Sequence, residues 1–133
     1  MAQASRLLAA AGKKELAADY LQRARRAYDW SVKNKPQTND AKTFGYYYTI
    51  PLAYAAAQLY HTTGEDAYHT AFLENTPWKK NPKAKMIPSD NSYDLSDAAY
   101  AYAAIPFAKA DPSVHSDVIR AICDEADAYI KAS

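Results

Sequence analysis

Hydrophobic and polar positions along the chain follow two patterns, one amphipathic and one almost wholly apolar. From about Lys14 to Lys33, Leu16, Tyr20, Ala24, Ala27 and Val32 recur at helical spacing, while Glu15, Asp19, Arg23 and Arg26 take the other side. That pattern predicts a helix with one solvated face. The stretch from about Pro112 to Ala132 repeats it, with charge at Asp117, Arg120, Asp124, Glu125 and Lys131. From about Thr49 to Thr63 there is no formal charge, and Ala or Tyr stands at most positions. A helix that is apolar nearly all round is buried nearly all round. Thr49 is placed to cap it, and Pro51 falls in the first turn, where proline is tolerated. About Leu95 to Ala110 is similar, uncharged from Ala98 to Ala108, with Asp94 as the expected N-cap. Pro106 lies inside it and is expected to kink or split the helix. Two shorter helices complete the set: Ala2 to Ala11, ended by Gly12, and about Glu65 to Leu73, following Gly64.

Helices with little or no charge therefore start near residues 2, 49 and 95, and each is followed by a more heavily charged one. Short connectors (Gly12-Lys13, Gly64, Asp111-Pro112) join uncharged to charged helices, whereas long irregular stretches at 34–44 and 75–93 lead back to the next uncharged helix. Helical hairpins with one buried and one solvated member, and with all long loops at one end, predict a piece of an α/α toroid. Tetratricopeptide repeats share the Ala and Tyr content but recur at about 34 residues, so the spacing excludes them. An ordinary helical bundle is the plainer alternative.

Composition narrows the class further. Among 133 residues there are 28 Ala, 12 Tyr, three Gly and three Val. Ala is the strongest helix former and β-branched residues are scarce, so an all-β fold is excluded and a doubly wound α/β fold nearly so. The net charge of +1 gives no reason to expect nucleic acid or an anionic membrane as partner. No apolar run approaches the roughly 20 residues that cross a bilayer. Leu7 to Ala11 is too short for the core of a secretory signal, and Arg6 stands directly before it. Cys123 has no internal disulfide partner.

The segments MAQASRLLAAAGKKELAADYLQRARRAYDWSVKNKP and LAYAAAQLYHTTGEDAYHTAFLE resemble the middle of a catalytic domain of glycoside hydrolase family 9. The more specific part is AAAQLYHTTGEDAY, similar to that family's hairpin in which an inner helix ends at a glycine, here Gly64, and an outer helix follows, with Tyr68 packing back. The likeness covers residues 1 to about 75, and the remainder shares the helical rhythm. The resemblance implies a barrel of six helical hairpins, an (α/α)6 toroid, of which this all-α chain supplies three. It further implies inverting hydrolysis of β-1,4-glucans or β-glucosaminides, of the endoglucanase or exo-glucosaminidase type, with no cofactor and an extracellular or periplasmic setting. Inversion needs one carboxylic acid and one carboxylate on opposite faces of the sugar. The family's Asp-Ala-Gly-Asp-like motif, its His-Arg segment and its Glu motif are not found in residues 1–133. The expectation is a central portion of a larger catalytic domain, inactive alone, that meets oligosaccharide through the parent domain.

Candidate chemistry gathers on the long loops. Tyr46, Tyr47, Tyr48, Trp78 and Tyr93 offer rings on which sugar C–H faces stack, or alternatively cover the ends of a core. Asp94 and Asp97 have the spacing of a catalytic pair, but acidic residues at a helix start serve free backbone donors equally well. The binding candidates are Trp78, Tyr46, Tyr47, Tyr93 and Asp94, with no catalytic residue assigned. His61, His69 and His115 lack metal-ligand spacing. Lys79, Lys80, Lys83 and Lys85 read as a solvated loop. Two rival readings are a non-catalytic carbohydrate-binding or scaffold module and a protein-interaction domain. Open edges of a partial ring also predict self-association or packing against the rest of the parent domain, at Ala2 to Ala11 and at the helix pair after Asp94.

Overall fold

A computed structural model describes residues 1–37, 48–88 and 93–132. Among these there are six α-helices and no strand: α1 (Ala2–Ala10), α2 (Lys14–Lys33), α3 (Ile50–Thr63), α4 (Asp66–Glu74), α5 (Ser96–Ala103) and α6 (Pro112–Ala132). A short 3-10 turn spans Pro77–Lys79. Gly12 and Gly64 take left-handed backbone at the tight inner-to-outer turns, with φ of 76° and 70°, a conformation that glycine alone adopts at little cost.

The helices pair as three hairpins, α1 with α2, α3 with α4 and α5 with α6. The first member of each hairpin also touches the first member of the next, so α1, α3 and α5 form a row, while α1 and α5 do not meet. The result is an open arc with α1, α3 and α5 inside and α2, α4 and α6 outside. Each long connection runs from the end of an outer helix to the start of an inner one. The helix ends that these connections join therefore all lie at one end of the arc.

The apolar pattern explains the layering. Ala53, Ala56, Ala57 and Leu59 of α3 are buried, as are Ala98, Ala99, Ala101 and Tyr102 of α5. Small Ala side chains let these helices approach closely, and Phe72, Tyr102 and Trp78 fill the space beside them. On α6 only Val114, Val118 and Ala121 are buried, and on α2 only Ala17. Tyr54 departs from the expected burial of α3, with 38% of its surface exposed. Outer helices lie behind α3 and inner helices on both flanks, so its fourth side remains open.

Two expectations are corrected. The helix expected from Leu95 to Ala110 stops at Ala103. Pro106 has no N–H to give to Tyr102 and disfavours helical backbone at Ile105, so the chain leaves the helix as turns closed by Lys109 and Ala110 amides on the Pro106 carbonyl. Thr49 makes no capping bond. The Asp111-Pro112 start of α6 follows expectation, because Asp111 Oδ1 accepts from the Ser113 and Val114 amides at 2.9 and 3.2 Å.

Candidate functional site

At the loop end of the arc, a cleft of about 370 Å³ opens between the starts of α1 and α3 and the second half of α2. Its ring-bearing walls are Tyr28, Tyr48 and Tyr54, and its polar groups include Gln3, Ser31 and Gln58. Tyr28 arrives there because Ala17, Leu21, Ala24 and Tyr28 form the face of α2 that turns to the core. Tyr28 meets Tyr68 edge to face at 5.3 Å. Burial, then the neighbouring Tyr68 and Tyr48 phenols, push its hydroxyl up to about 12. It therefore stays protonated at neutral pH, a hydrogen-bonding group and not a base.

Gln58 is held from behind. Arg6 of α1 donates to the Gln58 side-chain oxygen at 2.6 Å, to the Gln58 carbonyl at 3.0 Å and to Thr62 Oγ1 at 2.7 Å. With Oε1 occupied, the amide nitrogen is what Gln58 offers a ligand. No carboxylate pairs with Arg6 among the described residues, and burial lowers its pKa.

The sequence candidates are only partly brought together. Tyr46 and Tyr47 lie outside the described residues. Tyr48 lines the cleft, whereas Tyr93 and Asp94 do not. Tyr93 is half-buried against the core. Asp94 is exposed, and its Oδ1 accepts the Ser96 amide at 2.8 Å, which serves the turn into α5. Trp78 is a core residue, 2% exposed, stacked on Phe72 at 5.9 Å and donating to the Ala84 carbonyl at 3.3 Å. Its ring is thus covered by protein, and it presents no platform to solvent. Lys79, Lys80, Lys83 and Lys85 are exposed.

His69 and His115 belong to the packing. The His69 ring stacks on Tyr60 at 4.8 Å, and its Nε2 lies 2.9 Å from the Tyr102 hydroxyl. His115 Nε2 donates to the Ala103 carbonyl at 3.1 Å. Among the described residues no group of three or more His, Cys, Asp or Glu is placed to hold a metal ion, and no helix is long and apolar enough to cross a membrane.

Reasoning from loops missed Tyr28, Tyr54 and Gln58, all on helices. One signal was present in the sequence spacing. Leu7, Tyr54 and Tyr100 recur at the 46-to-47-residue period, one on each inner helix, and all three are exposed.

The arc of inner and outer helices, with its cleft on the loop side, can be set beside known proteins. The family model described as glycosyl hydrolase family 9 matches residues 1–133, the whole chain. The chain belongs to glycosyl hydrolase family 9. No curated protein and no solved structure matches it. Family 9 membership identifies the open arc as a portion of an (α/α)6 toroid and the chain as part of a polysaccharide-hydrolysing domain. Its row of α1, α3 and α5 then belongs to the inner ring, and α2, α4 and α6 to the outer one.

Proposed function

We propose that this chain builds wall and cleft loops of a hydrolase that cleaves β-1,4-glucans or β-glucosaminides with inversion. The observation that carries this reading is the cleft, in which three tyrosine rings stand among two side-chain amides and a serine hydroxyl. Sugar rings have apolar C–H faces for stacking and a rim of hydroxyls for hydrogen bonds. The volume suits a short saccharide segment, since ligand sites commonly measure about 300–1,000 Å³. Inversion places an acid and a base about 6.5–9.5 Å apart around the glycosidic bond. Among the described residues no Asp or Glu lines the cleft, and the share assigned to this chain is binding and shape, with the acid and base supplied from elsewhere in the domain. Tyr46 and Tyr47 adjoin Tyr48 in sequence, and Tyr93 and Asp94 lie just before α5 at the same end as Tyr48.

The test is a titration of the chain with cellotetraose and with chitosan tetramer, followed by amide chemical-shift changes. Shifts should centre on Tyr48, Tyr54 and Gln58, and Tyr48→Ala and Tyr54→Ala should each weaken binding by about tenfold, close to 1.4 kcal/mol. A folded chain that binds neither sugar, or binds equally after both substitutions, overturns the proposal.

A further inference from the structure

Between Asn75 and Pro88 the chain carries four lysines, Lys79, Lys80, Lys83 and Lys85, and no Asp or Glu. By composition this is a loose, solvated loop, but the segment is fastened at several points. Trp78 is buried against Phe72, and its indole N–H donates to the Ala84 carbonyl at 3.3 Å, closing the chain between them. Inside that closure the Lys80 and Asn81 amides donate to the Pro77 carbonyl at 2.9 and 2.8 Å, and the Ala84 amide donates to the Asn81 carbonyl at 2.9 Å. Asn81 Oδ1 accepts the Lys83 amide at 3.1 Å. Arg120 of α6 donates to the Pro82 carbonyl, and the Met86 carbonyl accepts the Leu95 amide at 3.1 Å.

This anchoring sorts the side chains by chemistry. Trp78, Ala84 and Met86 are buried, whereas all four lysines are exposed. Lys83 and Lys85 alternate with the buried Ala84 and Met86, so both leave the same side of the chain, at most about 7 Å apart along the backbone. Charges closer than the Debye length of about 8–10 Å act together on a ligand. Among the described residues none of the four lysines pairs with a carboxylate, and the Asp124 carboxylate on neighbouring α6 is taken by Arg120. The segment leaves α4 and meets α6, so it lies within the arc, clear of the two ends where the rest of the domain packs. None of its residues lines the tyrosine cleft.

We propose that this lysine platform is a second, non-catalytic polysaccharide site, whose ligand is an acidic polysaccharide with a carboxylate on its sugars. An ammonium is a compact charge with three rotatable donors, suited to carboxylates and hydroxyls met at varied angles along a polymer. A uronate chain presents one carboxylate per sugar, so neighbouring lysines are served by neighbouring sugars and their mutual repulsion is relieved. Nucleic acid fits less well, because single strands are held on exposed aromatic rings and the one ring of this segment is buried. A membrane surface fits less well too, since Trp78, Ala84 and Met86 face inward and leave no large apolar side chain to insert. The chain is part of a polysaccharide-hydrolysing domain. A grip on an acidic polymer mixed with the neutral substrate holds that domain near its work without competing for the cleft.

Calorimetric titration of the full chain with polygalacturonate oligomers tests this. Binding is expected at about 0.05 M salt and should weaken tenfold or more at about 0.5 M. Lys79→Gln with Lys80→Gln, and Lys83→Gln with Lys85→Gln, should each weaken it by about tenfold. Lys13→Gln with Lys14→Gln removes the same charge from exposed positions at the α1–α2 turn and should leave binding unchanged. Tyr54→Ala, in the cleft, should leave it unchanged as well. Fully methyl-esterified polygalacturonate should not bind. All six lysines are exposed, so the variants should fold, which helical circular dichroism verifies. No binding at low salt, equal loss in the Lys13 and Lys14 variant, or equal binding of the ester would each overturn the proposal. Tighter binding to single-stranded DNA or to phosphatidylserine vesicles than to polygalacturonate would overturn it too.

Discussion

The hydroxyl of Tyr102 and Nε2 of His69 lie 2.9 Å apart in the packed centre of the arc, and this bond joins α5 to α4. Tyr102 is fully buried, with Phe72 stacked on it at 4.4 Å. Burial pushes its hydroxyl pKa up, which keeps it a donor. Burial likewise lowers the pKa of His69 below the ordinary 6.5, against smaller opposing effects of Asp111 and Asp66. Tyr102→Phe removes the hydroxyl and leaves the imidazole without that partner. The expected loss is about 1–3 kcal/mol in urea unfolding, with the slope on denaturant unchanged.

The same histidine sets an acid limit. A neutral imidazole in the folded state means that the unfolded chain takes up the proton first. Stability is therefore full above about pH 6.5 and declines as pH falls from there toward the lower folded value. His61 acts in the same direction, lowered by burial and then by Arg6 and Lys109. Asp111 adds a second, more acidic loss. Its carboxylate is held below the usual 3.8 by the Ser113 hydroxyl first and the Val114 amide next. That contribution is present above about pH 4 and disappears as the pH falls through the lowered value. Melting temperature measured from pH 8 to pH 3 should fall in these two stages, and His69→Gln should flatten the first.

Alanines at the inner row leave no room for larger side chains. Ala53, Ala56, Ala57, Ala98 and Ala99 are all fully buried. Ala57→Leu forces α3 away from what it touches and should cost about 1–3 kcal/mol, whereas Ala126→Leu on exposed α6 surface should change chain stability by less than about 0.5 kcal/mol. Thermal melts of the two variants at one protein concentration give the comparison.

Arg6 attaches α1 to α3 through three hydrogen bonds to neutral acceptors. Arg6→Met keeps the length of the side chain and deletes the charge-assisted bonds, with an expected cost of about 1.5–3 kcal/mol. Amide exchange should quicken in α1 far more than in α5, which Arg6 does not touch. Equal acceleration in both helices would contradict this role.

Catalysis gives the last expectation. The chain should leave a chromogenic β-glucoside intact, since among the described residues no paired carboxylates with acid and base roles line its cleft. Asp94→Ala should cost about 1 kcal/mol through the lost bond to the Ser96 amide. Turnover that vanishes in Asp94→Asn would instead make that carboxylate part of the chemistry.

Charge periodicity carried most of the architecture. Five of six helices begin and end within two residues of the positions their apolar and capping residues predict. The exception, α5, shows that one proline outweighed a run of strong helix formers, because Pro106 removed a donor that Ala and Tyr content does not restore. Trp78 was misleading for the opposite reason. Its Pro and Lys neighbours have the composition of a solvated loop, yet a single large ring is enough to anchor such a segment to the core. Tyr54 and Gln58 sit in an uncharged helix, where burial was the natural expectation. Only knowing that the arc stays open reveals their exposed side. Residues 1–37 carry eight Arg and Lys against three Asp and Glu, and residues 93–132 carry three against seven, a separation that cancels in the total charge and emerges only when hairpins are counted separately.

Contact between α1 and α5 is absent among the described residues, and this has a consequence for how order is lost. Each hairpin holds only its neighbours, as in short solenoids, so stability is a sum of local terms and neighbour couplings in place of one all-round core. The end hairpins each forgo one coupling and open first, in units that need not involve the whole chain. Unravelling then proceeds inward from both ends, and the amide protons of α3, gripped on two flanks and from behind, are the last to exchange with water.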